Sequence, residues 1–221
     1  MNPMSAPEPT CWIMIRDAAR GDPVARECFA RSYLPVVKAY LAARWGGRRE
    51  VDDAAQDVFV ECFRAGGLLQ KADPGHAGGF RAFLLGAVRN VARRHEARKQ
   101  FDARLPADLP ADDTGPAHAF DRAWARALLR EAAAIQQRTA EQAGPAAVRR
   151  VQLLNLRFGE GLPIRDVAAR WGEDPAKLHH EYATAREEFR AALRKVVAFH
   201  HPGATAGEID QACKSLLGLV R

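Results

Sequence analysis

Apolar residues recur at three- and four-residue spacing along most of the chain, and no stretch alternates apolar and polar positions with β-branched residues, so the pattern predicts an all-α protein. One helix opens at Asp22-Pro23, where a capping side chain precedes a proline suited to the first helical position. It carries Phe29, Tyr33, Val36, Val37, Tyr40 and Leu41 on one face until Gly46-Gly47 ends it. A second helix spans Val51 to Ala65, with Ala55, Val58, Phe59, Cys62 and Phe63 as its apolar stripe. A loop marked by Gly66-Gly67, Asp73-Pro74 and Gly78-Gly79 leads to a third helix, Phe80 to Lys99, whose buried side reads Phe80, Phe83, Leu84, Ala87, Val88 and Val91.

The period stops between 101 and 119, where Pro106, Pro110 and Pro116 sit among Asp102, Asp108, Asp112 and Asp113; this reads as a flexible acidic linker. Helical spacing resumes from Phe120 to Gln142 with Trp124, Leu128, Leu129 and Ile135, and breaks at Gly144-Pro145. The next helix, Ala146 to Phe158, carries Val148, Val151, Leu153, Leu154 and Leu156. A turn at Gly159 to Gly161 precedes a short helix with Ile164, Val167, Ala168 and Trp171 inward. Gly172 and Asp174-Pro175 then introduce a longer helix with Leu178, Tyr182, Ala185, Phe189, Leu193 and Val196 on one face. Two helices joined by a short glycine turn, with repeated turn signals, read as a helix-turn-helix in preference to an ordinary helical hairpin. After His200-His201-Pro202-Gly203, Thr205 and Glu208 have capping-box spacing ahead of Ile209, Cys213, Leu216, Leu217 and Val220. The expected organisation is two small helical domains, 1–100 and 120–198, joined by the linker 101–119 and followed by a C-terminal extension, 199–221, with a short amphipathic helix.

Composition adds limits. Of 221 residues, 48% are hydrophobic, enough for a core. The absence of a long apolar run excludes a membrane span, and the N-terminus lacks the charge and apolar pattern of a secretory signal. Four dispersed cysteines, with no CxxC, give neither a zinc ribbon nor a disulfide framework. The expected compartment is the cytoplasm. Walker, GxGxxG, HExxH, GxSxG and Glu-x-x-His patterns are missing, so no catalytic residue, metal or cofactor is expected. Adjacent histidines on a helix point about 100° apart, so His179-His180 and His200-His201 make no metal site by themselves.

The net charge is +6, and its distribution carries more than its sum. Residues 77–100 hold Arg81, Arg89, Arg93, Arg94, Arg98 and Lys99 against Glu96 alone, whereas residues 101–121 hold five Asp against one Arg. Arg89, Arg93 and the Arg98-Lys99 pair can share a face that neutralises phosphates, or that is simply solvated. Phe80 and Phe83 precede them; such rings stack on unpaired bases or fill a core, and Asn90 can read a base edge. In the helix-turn-helix reading, Lys177, His179 and His180 face base edges, and Thr184, Arg186 and Arg190 meet phosphate. Asp52, Asp53, Gln56, Asp57 and Glu61 make the second helix acidic, suited to a basic protein surface or to solvent.

These pieces, in this order, resemble bacterial sigma factors of the extracytoplasmic-function group. Residues 51–60, VDDAAQDVFV, resemble region 2.2; residues 80–90, FRAFLLGAVRN, with the arginines that follow, resemble regions 2.3 and 2.4; residues 160–172, EGLPIRDVAARWG, resemble region 4.2. Phe83 stands where the family usually has Trp, and AKLHH at 176–180 departs from the usual opening of its recognition helix. The resemblance implies a sigma factor, not an enzyme, that binds core RNA polymerase through Asp52, Asp53, Gln56, Asp57 and Phe59. It implies promoter melting and downstream-element binding by Phe80, Phe83, Arg89, Asn90, Arg93, Arg94, Arg98 and Lys99. Lys177, His179, His180, Thr184, Arg186 and Arg190 would bind the upstream element, and an anti-sigma factor is a further partner. Two other classes stay open: a helix-turn-helix regulator without polymerase docking, and a helical interaction protein or enzyme with no nucleic-acid role.

Overall fold

A computed structural model describes residues 11–46, 50–75, 78–103 and 113–220, with the side chains of 11 and 99–103 outside the described set. Every regular element among these residues is helical. In chain order they are α1 (Cys11–Arg20), α2 (Pro23–Trp45), α3 (Glu50–Phe63), a single 3₁₀ turn (Leu68–Lys71), α4 (Gly79–Ala103), α5 (Thr114–Ala143), α6 (Pro145–Phe158), α7 (Ile164–Trp171), α8 (Pro175–His200) and α9 (Ala206–Leu219). Asp22 caps α2, its carboxylate accepting from the Ala25 amide at 2.7 Å, and Gly46 closes the helix at φ 66°. At α9, Thr205 and Glu208 form a reciprocal capping box.

The chain divides into two units, one comprising residues 1–127 and 198–221, the other 128–197. The first is organised around Phe80, which is fully buried. Its ring meets Trp12 of α1 edge-on at 5.8 Å, Phe29 and Tyr33 of α2 at 5.9 and 5.3 Å, Phe83 at 5.8 Å and Trp124 of α5 at 6.4 Å. Trp124 stacks on Tyr33 and Phe120 and takes the edge of the His200 imidazole at 5.2 Å. Each such ring contributes about 1.5–3 kcal/mol by leaving water, and pairs in these geometries add somewhat more. The α1 helix, which the pattern does not reveal, supplies Trp12, Ile15, Ala18 and Ala19 to this core.

This grouping differs from the expected boundaries. Residues 101–103 belong to α4, and α5 starts at Thr114, so two ends of the expected linker are helical. Residues 104–112 lie outside the described set. The apolar pattern assigns Phe120 and Trp124 to the second domain, yet their i, i+4 spacing puts both rings against the aromatic cluster of the first unit. The segment after Val197 joins the same unit. His200 is buried there, and its carbonyl lies so near Gly79 (φ 66°) that a Cβ at that position would meet it at 3.2 Å.

The second unit packs Leu153, Ile164, Val167, Ala168 and Leu178 into one cluster, with Leu156, Leu162, Trp171 and Tyr182 against it. Gly172, at φ 65°, ends α7 in the left-handed conformation, and Pro175 starts α8 three residues later. Buried Gln136 donates to the Ala185 carbonyl at 2.9 Å. Arg149 lies over the Trp171 ring at 4.8 Å while donating to Glu173 at 2.9 Å, which ties α6 to the α7–α8 turn.

Candidate functional site

In the first unit the candidate residues lie on α3 and α4. The α3 stripe Val51, Ala54, Ala55, Val58, Phe59 and Cys62 is buried. Helical geometry therefore turns Asp52, Asp53 and Gln56 to solvent, with Asp57 half-buried. Phe59, assigned to docking by the resemblance, is only 9% exposed and packs edge-on against Phe29 at 5.9 Å; its part is to hold the helix. The residue missed on this face is Val60, 55% exposed. It follows Asp53 by seven, Gln56 by four and Asp57 by three, so the four form one surface row, a signal present in the spacing.

On α4 the structure separates the expected nucleic-acid residues into three kinds. Phe80 is core and cannot receive a base; Phe83 is half-buried against it. Arg89 and Arg94 are each held by a carboxylate: Arg89 by Asp113, its Nε at 2.6 Å, and Arg94 by Glu61 at 3.1 Å. Arg81, counted in the basic segment, pairs with Asp121 of α5. Asn90, Arg93 and Arg98 are exposed, and among the described residues neither Arg93 nor Arg98 has a carboxylate partner at ion-pair distance. The Lys99 side chain lies outside the described residues. The raw charge of the segment thus overstates the field it presents to a polyanion.

A polar network invisible to local spacing underlies this surface. Arg44, its side chain 9% exposed, grips Glu96 with Nε at 2.6 Å and Nη2 at 2.9 Å, and gives Nη1 to Asp113 at 3.1 Å. The Trp45 indole donates to Glu96 at 2.8 Å, and the Tyr40 hydroxyl donates to Asp113. Burial would raise the Glu96 carboxyl, but the bonds from Arg44 and Trp45 outweigh it and hold it below the ordinary value. Burial, with the Asp113 bond second, raises the Tyr40 phenol, which keeps its proton to donate. Two further links join α3 to α4: His95 Nε2 lies 2.8 Å from an Asp57 oxygen, and Glu61 receives Arg94.

In the second unit, His179, His180, Lys177, Arg186 and Arg190 are exposed along α8, and Thr184 is half-buried. Lys177 is bonded to Glu173 at 3.0 Å, and Arg190 pairs with Glu187. Thr184 donates back to the His180 carbonyl at 3.2 Å, so its hydroxyl is engaged by its own helix. Arg186 lies 5.7 Å from the Tyr182 ring, which in turn faces Phe158, 71% exposed. The opening turns of α8 therefore present two imidazoles and tethered cations, with Leu178 and Ala185 inward.

The Cys62 thiol is pushed up to about 12, by burial first and the Glu61 charge second, which keeps it protonated and unreactive. Among the described residues no group of three metal-type ligands converges, and no helix is long and apolar enough to cross a membrane. No protein-family model matches the chain, and no curated protein matches it.

Proposed function

We propose that the chain is a sigma-type transcription initiation factor: it binds core RNA polymerase through α3, engages melted promoter DNA along α4, and contacts the upstream duplex through the start of α8. The observation that carries the reading is the division of labour on α3. Its buried stripe goes inward, leaving Asp53, Gln56, Asp57 and Val60 as a continuous acidic-apolar row beside α4, whose outer face shows Asn90, Arg93 and Arg98. Val60 places an exposed apolar side chain at the end of the Asp53, Gln56 and Asp57 row, and a protein-docking face uses that combination, apolar area for affinity and charge for register. The ordered sequence motifs add weight.

On this reading Phe80 and Phe59 are scaffold. The DNA contacts are Asn90, Arg93 and Arg98 with Phe83 at the margin, and Arg89 and Arg94 join only when their carboxylates let go. The test is capture of purified core RNA polymerase by the tagged full chain, with Gln56→Ala/Val60→Ser as the docking variant. Stoichiometric capture that the variant loses while keeping its helical content supports the assignment. A regulator without polymerase docking is the second reading, and the α7–turn–α8 segment with exposed His179, His180 and Arg186 is what favours it. Failure of capture together with salt-dependent duplex binding places it first.

A further inference from the structure

We propose that Asp113 is a built-in competitor for nucleic acid: its carboxylate occupies the phosphate-binding edge of Arg89 and keeps that arginine out of the α4 binding face until Asp113 is displaced. The inference rests on the reading of α4 as a nucleic-acid surface. Arg89 is bound through Nε and Nη2, both to Oδ2 of Asp113. That is the edge of the guanidinium with two parallel N–H groups, the same edge that forks onto a phosphate. The other oxygen, Oδ1, takes the Tyr40 hydroxyl and Arg44 Nη1. One carboxylate therefore presents two oxygens to a ring of donors much as a phosphodiester would.

Two features make this pairing a competitor rather than a plain structural tie. Arg89 is half-buried, with Asn90 exposed beside it and exposed Arg93 one helical turn along, so it borders the candidate surface rather than the core. The rest of the network is bonded without recourse to Asp113. Arg44 keeps its two bonds to Glu96, and the Tyr40 hydroxyl remains 3.3 Å from Arg44 Nη1. Asp113 also starts α5 through its backbone, its carbonyl accepting from the Ala117 amide at 2.9 Å, a bond that a change of side chain leaves in place. Asp113→Asn is therefore compatible with the fold, keeps an acceptor for Tyr40, and removes the charge that holds Arg89.

The experiment uses the full chain in four forms: wild type, Asp113→Asn, Arg89→Ala and the double variant. The first readout needs no nucleic acid: modification by an arginine-specific dicarbonyl, mapped by mass spectrometry. Arg89 is expected to be slow in wild type and markedly faster in Asp113→Asn, with Arg44 unchanged. The second readout is fluorescence anisotropy with a labelled single-stranded DNA oligonucleotide across a salt series. Asp113→Asn should bind about threefold to fivefold tighter, with a salt slope steeper by about 0.7 because Arg89 then neutralises one more phosphate. The double variant should show neither the tighter binding nor the steeper slope. Equal reactivity of Arg89 with and without the Asp113 charge overturns the proposal, as does tighter binding that persists in the double variant. If Arg89 is unmasked and no form binds the oligonucleotide, the nucleic-acid reading fails, and Asp113 is then an ion-pair partner without an inhibitory role.

Discussion

Acid should unfasten the C-terminal segment through His200. This imidazole is 3% exposed with its edge on the Trp124 ring. Burial, with the neighbouring His201 second, lowers its pKa to about 3. In the unfolded chain it titrates near its ordinary value of about 6.5. Below that value the unfolded state binds a proton that the folded state refuses, so the contribution is complete above about pH 6.5 and declines as pH falls, by about 1.4 kcal/mol per pH unit. Between about pH 7 and pH 5 the loss from this one group sums to about 2 kcal/mol. His201 is lowered in the same direction by burial and adds to the trend. A variant isolates the His200 part: His200→Phe keeps a flat ring against Trp124 and removes the proton site. Urea unfolding followed by tryptophan fluorescence, at both pH values, gives four stabilities. The wild type should lose about 2 kcal/mol more than the variant on acidification. An equally steep loss in the variant would refute the reasoning, because the acid sensitivity would then belong to other groups.

Phe80→Ala should destabilise the first unit by about 3–5 kcal/mol, read as loss of helical circular dichroism, and should do so more severely than Phe83→Ala because Phe83 is half-buried. Arg93→Ala and Arg98→Ala should each lower the salt slope of single-strand binding by about 0.7 without moving the thermal midpoint. Gly172→Ala meets open space but forces a side chain into φ 65°, so it should cost about 1 kcal/mol and appear as a thermal midpoint lowered by a few degrees.

The fold is legible in the sequence where it is local. Asp22-Pro23, Thr205 with Glu208, and the glycine at 172 announce the helix ends at which they are found, since a cap or a left-handed turn depends on neighbours in sequence. The stripe of α3 is legible because its burial follows the helical period. The failures are of two kinds. Trp12, Ile15, Ala18 and Ala19 form a four-residue stripe, half of it alanine, too short and too weakly apolar to stand out as a helix. Phe120 and Trp124 are recognisably helical yet fall to the wrong neighbour, because periodicity shows which face is apolar and says nothing of what covers it. The candidate site divides the same way. The exposed row on α3 follows from spacing, whereas the pairs Arg89–Asp113 and Arg94–Glu61 join residues 24 and 33 positions apart, which no local pattern encodes.

Those pairs set a bound on how strongly the two candidate surfaces communicate. Asp57 belongs to the proposed docking row and contacts His95; Glu61, one turn further along α3, holds Arg94. On the proposed function, a partner that engages Asp57 competes with His95 for the same carboxylate, one turn from the Glu61 that holds Arg94, so the two proposed activities would share this edge of α3. In each pair one side chain is about half accessible, Asp57 at 48% and Arg94 at 52%, and the other largely covered, His95 at 17% and Glu61 at 18%, so each is worth at most about 1 kcal/mol. Their joint release amounts to a coupling of at most about 2 kcal/mol, within the range of ordinary allosteric coupling. If the proposed function holds, such a coupling would bias the α4 surface toward DNA on docking, and it is too small to act as an absolute gate. A strict dependence of DNA binding on the partner therefore needs more than these two pairs. The aromatic core around Phe80 packs α1, α2, α4 and the start of α5 together and offers no exposed group to either surface. On the proposed function, the remaining contribution would have to come from contacts that the partner makes with the nucleic acid, or from Asp113, whose bond to Arg89 lies outside the α3 row.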